Sequence, residues 1–125
     1  MKKGSTQMDT VIKSSGVKSN DNNSLSTLEE DILTILASHP ELYGLQISKA
    51  IEQASDGKRQ IGFGSLYPAL RRLENKKFVD SHWEDNDSDA RGGARRRYYK
   101  ITASGLSVLR ENQTFRTKLA NWQPA

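Results

Sequence analysis

Apolar residues between positions 26 and 57 recur at helical spacing in two groups, with a proline between them. Residues 27–30, T-L-E-E, have the form of a capping box, with Thr27 as the cap and Glu30 reaching back to it. The helix that follows is expected to end before Pro40, because the residue preceding a proline is disfavoured in the helical conformation. A second amphipathic helix is predicted from about Tyr43 to Ala54.

A third helix is predicted after the glycine-containing turn of residues 55–64. Ser65 fits its N-cap, which places Pro68 at the third helical position, where a missing N–H costs little. One side of this helix is an apolar stripe, and the other carries Tyr67, Pro68, Arg71, Arg72, Asn75 and Lys76. An ordinary solvated helix shows the same pattern. Two helices joined by a short turn, the second amphipathic and basic, nevertheless describe a helix-turn-helix.

Two runs of alternating residues, 79–84 and 95–101, follow the third helix and flank a polar, turn-forming stretch. They predict a β-hairpin, which in this position is a wing. Its outgoing side is acidic, and its return is basic, with Arg91, Arg95, Arg96, Arg97 and Lys100. One interpretation is that the two sides simply pair with each other. The arginines outnumber the nearest acids at 95–97, however, and guanidinium groups suit phosphate oxygens, so we favour contact with DNA.

A last helix is predicted from a cap at residues 102–105 to about Trp122. Leu106 and Leu109 fit a stripe facing the domain, whereas a second stripe consists of Val108, Phe115, Leu119 and Trp122. A domain of this size has little left to cover that second stripe, and the commonest partner of an uncovered apolar stripe is another copy of the chain. We therefore predict a homodimer; the alternative is that the helix folds back on the first helix.

Composition sets limits without selecting a function. The 125 residues allow one domain with a modest core, and a net charge of +4 with a pI near 9.4 is compatible with nucleic acid. No stretch approaches the roughly 18 apolar residues of a membrane span, and no apolar run follows the lysines at the amino end as in a secretory signal. A cytoplasmic location is the expectation.

The chain divides into three parts by composition. Residues 1–24 are rich in Ser, Asn, Lys, Asp and Thr and are expected to form a flexible arm. Residues 25–101 are expected to form the winged helix domain, and residues 102–125 the dimerisation helix. The predicted fold class is therefore mainly α with a small β-hairpin.

Enzyme activity is not expected. The chain has no cysteine, and its two histidines, His39 and His82, are far apart in sequence. Residues 62–64, G-F-G, lack the following G-K-[ST] of a phosphate-binding loop. We accordingly expect no catalytic residue, no cofactor and no metal site.

Taken together, these segments resemble the PadR-like family of winged helix-turn-helix transcriptional regulators. The resemblance runs from about Leu28 to Leu109 and rests on L-T-I-L-A at 33–37, Y-G-L-Q-I at 43–47, G-S-L-Y-P-A-L-R-R-L-E at 64–74, G-G-A-R-R-R-Y-Y-K-I-T at 92–102 and A-S-G at 103–105. It implies a dimeric DNA-binding regulator, usually a repressor. Its third helix would enter the major groove of double-stranded DNA, and its wing would touch the flanking backbone or minor groove.

Carried onto this chain, the resemblance puts Ser65, Tyr67, Pro68, Arg71 and Arg72 on the reading helix and Tyr43 and Lys49 near phosphates. Lys76 and the wing arginines would add further phosphate contacts. Arg71 and Arg72 are the candidates for guanine, and spacing does not decide which of them points into the groove.

Two features depart from the family pattern. Many members have a longer helical carboxyl-terminal region, whereas little more than one helix follows the wing here, so the resemblance does not extend to a small-molecule effector such as a phenolic acid. The amino-terminal arm is longer than the motif needs, and the chain is similar to a short cyanobacterial type of the family. A second class of function stays open: a winged helix that docks a partner protein through Phe115, Leu119 and Trp122 without reading DNA.

Overall fold

A computed structural model describes residues 24–85 and 95–125. In these ranges the chain forms α1 (Thr27–Ala37), β1 (Leu42–Tyr43), α2 (Gly44–Ala54), α3 (Phe63–Asn75), β2 (Val79–Trp83), β3 (Arg97–Ile101) and α4 (Ala103–Ala120). The strands form an antiparallel sheet in the order β1-β3-β2. This is a winged helix-turn-helix, so the predicted fold class is confirmed. The sequence pattern missed β1, because two residues are too few to show alternation.

The cap of α1 lies one residue earlier than predicted. Ser26 Oγ accepts a hydrogen bond from the backbone N–H of Glu29 at 3.1 Å, and the Ser26 N–H donates to Glu29 Oε1 at 2.8 Å. The assignment of the box to Thr27 and Glu30 was therefore wrong. Both registers have the required spacing in sequence. In the observed one, Glu29 Oε1 closes the box while Oε2 meets Arg72 of α3 and Lys76 at its C-cap.

Helix α3 also begins earlier than predicted. Gly62 is its N-cap and Ser65 is already its third residue, so the assignment of Ser65 as the cap was wrong. Pro68 consequently lies inside the helix, beyond the first turn, where it removes one intrahelical hydrogen bond. Both Pro68 and Gly64, four residues before it, are exposed, so water can take the place of the missing partner.

All four helices of the described residues and the two wing strands share one hydrophobic core. The predicted apolar stripe of α3 lies at its centre, since Leu66, Ala69, Leu70 and Leu73 are fully buried. Against it pack Ile32, Leu33, Leu36, Ile47, Ile51, Phe78, Val79, Tyr99, Val108 and Leu109. Burial of that stripe fixes the rotation of α3 about its axis and thereby determines which of its side chains face outward.

The start of α4 is tied to the turn that precedes β2. Thr102 Oγ1 accepts from the Gly105 N–H at 3.0 Å and donates to the Lys77 carbonyl at 2.7 Å. A Cβ at Gly105 would collide with the backbone carbonyl of Phe78. This close approach turns Val108 into the core, where it is only 4% exposed, so its assignment to the exposed dimerisation stripe was wrong.

Candidate nucleic-acid interface

The outward side of α3 borders a groove of about 580 Å³. The start of α2 and the wing form its other walls. Its lining includes Tyr43, Gly44, Leu45, Phe63, Tyr67, Arg71, Glu74, Trp83, Arg95, Arg96, Arg97 and Tyr99. The predicted helix and the predicted wing therefore present their exposed side chains to the same space.

Aromatic rings occupy the α3 end of the groove. The Phe63 and Tyr67 ring centroids are 5.4 Å apart, with the ring planes at 53°. The Tyr67 hydroxyl packs against Gly44 at the start of α2, so closely that a Cβ there would collide with it. A side chain at position 44 would displace the end of the Tyr67 ring, so glycine there lets Tyr67 pack between α2 and Phe63.

The guanidinium groups of the wing lie over aromatic rings. Arg95 and Arg97 both lie over Trp83, with Cζ 5.8 Å and 5.0 Å from the ring, and Arg96 lies over Tyr43 at 4.6 Å. Cation–π attraction of this kind holds a charged side chain in a fixed position at little desolvation cost. Trp83 is itself half-exposed, so these contacts restrict the arginines without burying them.

Acidic groups near the wing engage its arginines only in part. Arg95 Nη2 donates to the backbone carbonyl of Glu84 at 2.9 Å, and the Glu84 carboxylate accepts from the backbone N–H of Arg96 at 3.0 Å. Arg97 Nη2 lies 3.5 Å from Glu74 Oε2 on α3, and Ser81 Oγ donates to the same oxygen at 2.6 Å. Glu74 therefore ties α3 to both wing strands. The acids position the base of the wing, and the stacked arginine heads stay at the groove.

Arg71 and Arg72 point to different sides of α3. Arg71 lines the groove. Arg72 Nε instead lies 3.1 Å from Glu29 Oε2, and Lys76 Nζ lies 3.4 Å from the same oxygen. Burial raises the pKa of Glu29, but the Ser26 N–H, Arg72 and Lys76 outweigh burial and bring that pKa below its ordinary value. The carboxylate is thus ionised and joins α1 to α3.

Comparison with known proteins agrees with this geometry. Residues 32–111 match the family described as "Transcriptional regulator PadR-like family". The chain belongs to the PadR-like family. An uncharacterised protein of Lysinibacillus sphaericus is 30% identical over 82 residues, which cover 66% of this chain and 72% of that protein.

Two solved structures of similar proteins share the fold. A PadR-like transcription factor from Bacteroides fragilis is 30% identical with a TM-score of 0.67, and the alignment covers 84% of this chain and 92% of that one. A transcriptional regulator from Clostridium thermocellum is 29% identical with a TM-score of 0.60, over 74% of this chain and 88% of that one. PadR-like proteins are DNA-binding transcriptional regulators and not enzymes, as the sequence predicted.

Among the remaining predicted site residues of this PadR-like chain, Tyr43 lines the groove, whereas Ser65, Pro68 and Lys49 lie outside its lining. Ser65 and Pro68 are exposed on α3, and Tyr43 lies in the groove wall. Lys49 is exposed on α2, with Nζ 3.9 Å from Glu52 Oε1. Arg91 and the arm predicted over 1–24, apart from its last residue, lie outside the described residues.

Residues 24–85 and 95–125 contain neither a membrane-spanning helix nor a metal-binding cluster. No helix in these ranges is long and apolar enough to cross a membrane. The same ranges contain no group of three or more acidic or histidine side chains placed to hold a metal ion.

Sequence reasoning missed Phe63 and Trp83 as members of the interface. Phe63 was missed because Ser65 was expected to be the N-cap, which put the first helical residue three positions later than the structure does. Trp83 falls on the same side as Val79 in the alternating run, but Val79 is fully buried whereas Trp83 is half-exposed. The signal that could have found Trp83 is strand register: a hairpin that pairs Val79 with Ile101 sets Trp83 opposite Arg97.

Proposed function

We propose that this chain is a repressor that binds an inverted-repeat operator as a homodimer. The observation that carries the proposal is that Arg71, on α3, and the stacked arginines of the wing border one groove. A helix-turn-helix protein uses its second helix to contact base edges in the major groove, and a basic hairpin beside it is suited to phosphates. Both elements can therefore engage adjoining parts of one duplex.

Base discrimination is assigned to Arg71. Its planar guanidinium suits the O6 and N7 acceptors of guanine, and it lies on the outward side of the helix. Arg72 is 52% exposed but is tied to Glu29 at the opposite edge of α3. We assign Arg72 and Lys76 to phosphates at that edge, and Lys49 and Tyr43 to other phosphates of the duplex. Ser65, Tyr67 and Pro68 present the exposed start of α3 to the groove of the DNA.

The wing is assigned to the sugar-phosphate backbone or minor groove flanking the bases read by α3. Arg95, Arg96 and Arg97 stand over aromatic rings, and Arg91 belongs to the same basic stretch of sequence. Each phosphate that they neutralise releases counterions, so the affinity contributed by the wing should fall steeply with salt.

The carboxyl-terminal half of α4, with Trp122 just after its end, is assigned to dimerisation. Phe115, Leu119 and Trp122 are 56%, 59% and 69% exposed. From Arg110 onward no residue is buried within the described parts of the chain. Helical segments this short are marginal in water unless they pack, and a second copy would cover the stripe through a two-fold interface. Two copies would then place two α3 helices on the two halves of an inverted repeat.

The family resemblance favours repression over activation. The site of action would be the cytoplasm, with double-stranded DNA as the partner. No small-molecule effector is proposed. A reporter gene behind the selected operator should be silenced by the wild-type chain and released by a variant that lacks wing charge, whereas activation of the reporter would refute repression.

The test is selection from a pool of random duplexes by the purified chain at two salt concentrations, followed by sequencing. Enrichment of an inverted repeat would support the dimeric reader, and the half-site spacing would report the dimer geometry. Retention without enrichment, lost steeply with salt, would reject sequence reading. No retention at either salt would move the function to docking of a partner protein through the exposed stripe of α4.

A further inference from the structure

Phe63 is an exposed aromatic side chain at the first position of α3. It is 51% exposed and lies outside the hydrophobic core. Residues four apart share one side of a helix, so Phe63, Tyr67 and Arg71 form a row along α3, and all three border the groove. At about 1.5 Å per residue this row spans roughly 12 Å. It runs from an apolar ring at the amino-terminal end to a guanidinium.

The contacts of Phe63 do not account for so much exposed ring. Gly62 caps the helix without a side chain, and the buried stripe of α3 consists of other residues. Its ring contacts Tyr67, which is itself fixed because its hydroxyl packs against Gly44. A fixed apolar ring therefore stands at the end of the reading helix that contacts base edges in helix-turn-helix proteins.

We propose that Phe63, braced by Tyr67, reads the 5-methyl group of a thymine in each half-site. The phenylalanine side chain has no hydrogen-bonding group, so it cannot bind the donors and acceptors of the major groove. The feature of the major groove that suits it is the thymine methyl, which is apolar. This inference rests on the proposed function, and it makes the chain a reader of two chemically different features, a methyl group at one end of the row and a guanine at the other.

The test removes only that methyl group. In the selected operator, each thymine is replaced singly by deoxyuridine, which keeps every hydrogen-bonding group, and the dissociation constant is measured for the wild-type chain and for Phe63→Ala. One position per half-site should weaken wild-type binding by about fourfold, the effect of exposing one methyl group. Phe63→Ala should bind the unmodified operator more weakly and be indifferent to deoxyuridine at that position.

Two further variants separate the contact from a change in folding. Phe63→Leu keeps an apolar side chain and should retain most of the discrimination at the sensitive thymine. Tyr67→Ala removes the bracing ring and should reduce that discrimination. Placing 5-methylcytosine, in a guanine pair, at the sensitive position should recover part of the affinity that unmethylated cytosine loses, again only with Phe63 present.

The outcomes distinguish this inference from the proposed function. One outcome is the enrichment of a site in which no thymine is sensitive to loss of its methyl group. That result overturns the role of Phe63 and leaves sequence reading intact. The same conclusion follows if Phe63→Ala keeps the wild-type sensitivity. Failure to enrich any site overturns both.

Discussion

Trp83 is predicted to position the arginines of the wing while contributing no charge of its own. Its ring carries both Arg95 and Arg97, at 5.8 Å and 5.0 Å. Replacing it by isoleucine keeps a side chain suited to a strand and removes the π-system. Each cation–π contact at an exposed site contributes about 0.5–1 kcal/mol, so two contacts amount to about 1–2 kcal/mol of lost pre-organisation. Affinity for the operator should therefore fall by roughly 5- to 30-fold.

The salt dependence of binding shows whether the affinity falls because the arginines are less well positioned or because phosphate contacts are lost. Trp83→Ile leaves the number of phosphate-neutralising groups unchanged, so the slope of log affinity against log salt should stay as in the wild type. Arg95→Ala removes one such group and should make the slope shallower by about 0.9. Trp83→Phe keeps an aromatic face and should bind close to the wild type. The assay is fluorescence anisotropy of a labelled operator over a series of salt concentrations.

Two results would refute this reasoning. If Trp83→Ile binds as tightly as the wild type, stacking does not position the arginines for DNA. If Trp83→Ile changes the salt slope as much as Arg95→Ala does, the substitution has removed phosphate contacts and not merely their pre-organisation.

Three further predictions concern stability and assembly. Glu29→Gln should lower the free energy of unfolding by about 1 kcal/mol in chemical denaturation, because Arg72 and Lys76 would then face a neutral amide in place of a carboxylate. The folded-state pKa of Glu29 is lowered, so the stability that its carboxylate contributes is present above the ordinary value of 4.5 and is lost as pH falls through the folded-state pKa. Glu29→Gln should lack this loss of stability in acid. A variant with the same dependence of stability on pH as the wild type would contradict the role of Glu29 in joining α1 to α3. Gly105→Ala should destabilise by about 1–3 kcal/mol because its Cβ meets the Phe78 carbonyl, whereas Gly64→Ala, with open space around it, should not destabilise the chain; equal melting temperatures for the two would oppose this packing. Leu119→Ser should convert a dimer to a monomer in analytical ultracentrifugation while leaving the helical circular dichroism of the domain in place, and a wild-type chain that is already monomeric at micromolar concentration would reject the dimer.

Sequence periodicity was sufficient for the parts of the fold that depend on apolar burial. The stripe of α3 and the hairpin behind it both appear in the structure as predicted, because burial of large apolar side chains dominates the choice of rotation and register. The family resemblance then pointed to the function class, which residues 32–111 confirm.

The register of the first helix cap and the rotation of α4 each depend on a single tertiary contact, and residue spacing in the sequence could not predict them. Residues 26–29 and 27–30 both fit a capping box, and the choice is made by the position of α3, which offers Arg72 to Glu29. Val108 and Leu106 are two residues apart on α4, and the close approach at Gly105 decides that Val108 enters the core. Such choices follow from tertiary packing and have no local signal.

The division between Arg71 and Arg72 belongs to the same class of detail, and it is central to the proposed function. Consecutive residues on a helix point about 100° apart, so only one of two neighbouring arginines faces a given groove. Glu29 holds Arg72 on the side of α1, and the buried stripe of α3 leaves Arg71 facing the wing.

The most direct test of this account is therefore the base preference of the two arginine variants. Affinities of the wild type, Arg71→Ala and Arg72→Ala would be measured against the selected operator and against every single base-pair change in one half-site. We predict that Arg71→Ala loses about 1–3 kcal/mol of discrimination at one guanine position and that Arg72→Ala keeps the wild-type order of preference with uniformly weaker binding. Loss of discrimination in Arg72→Ala, with Arg71→Ala unchanged, would contradict the assignment of the reading face of α3.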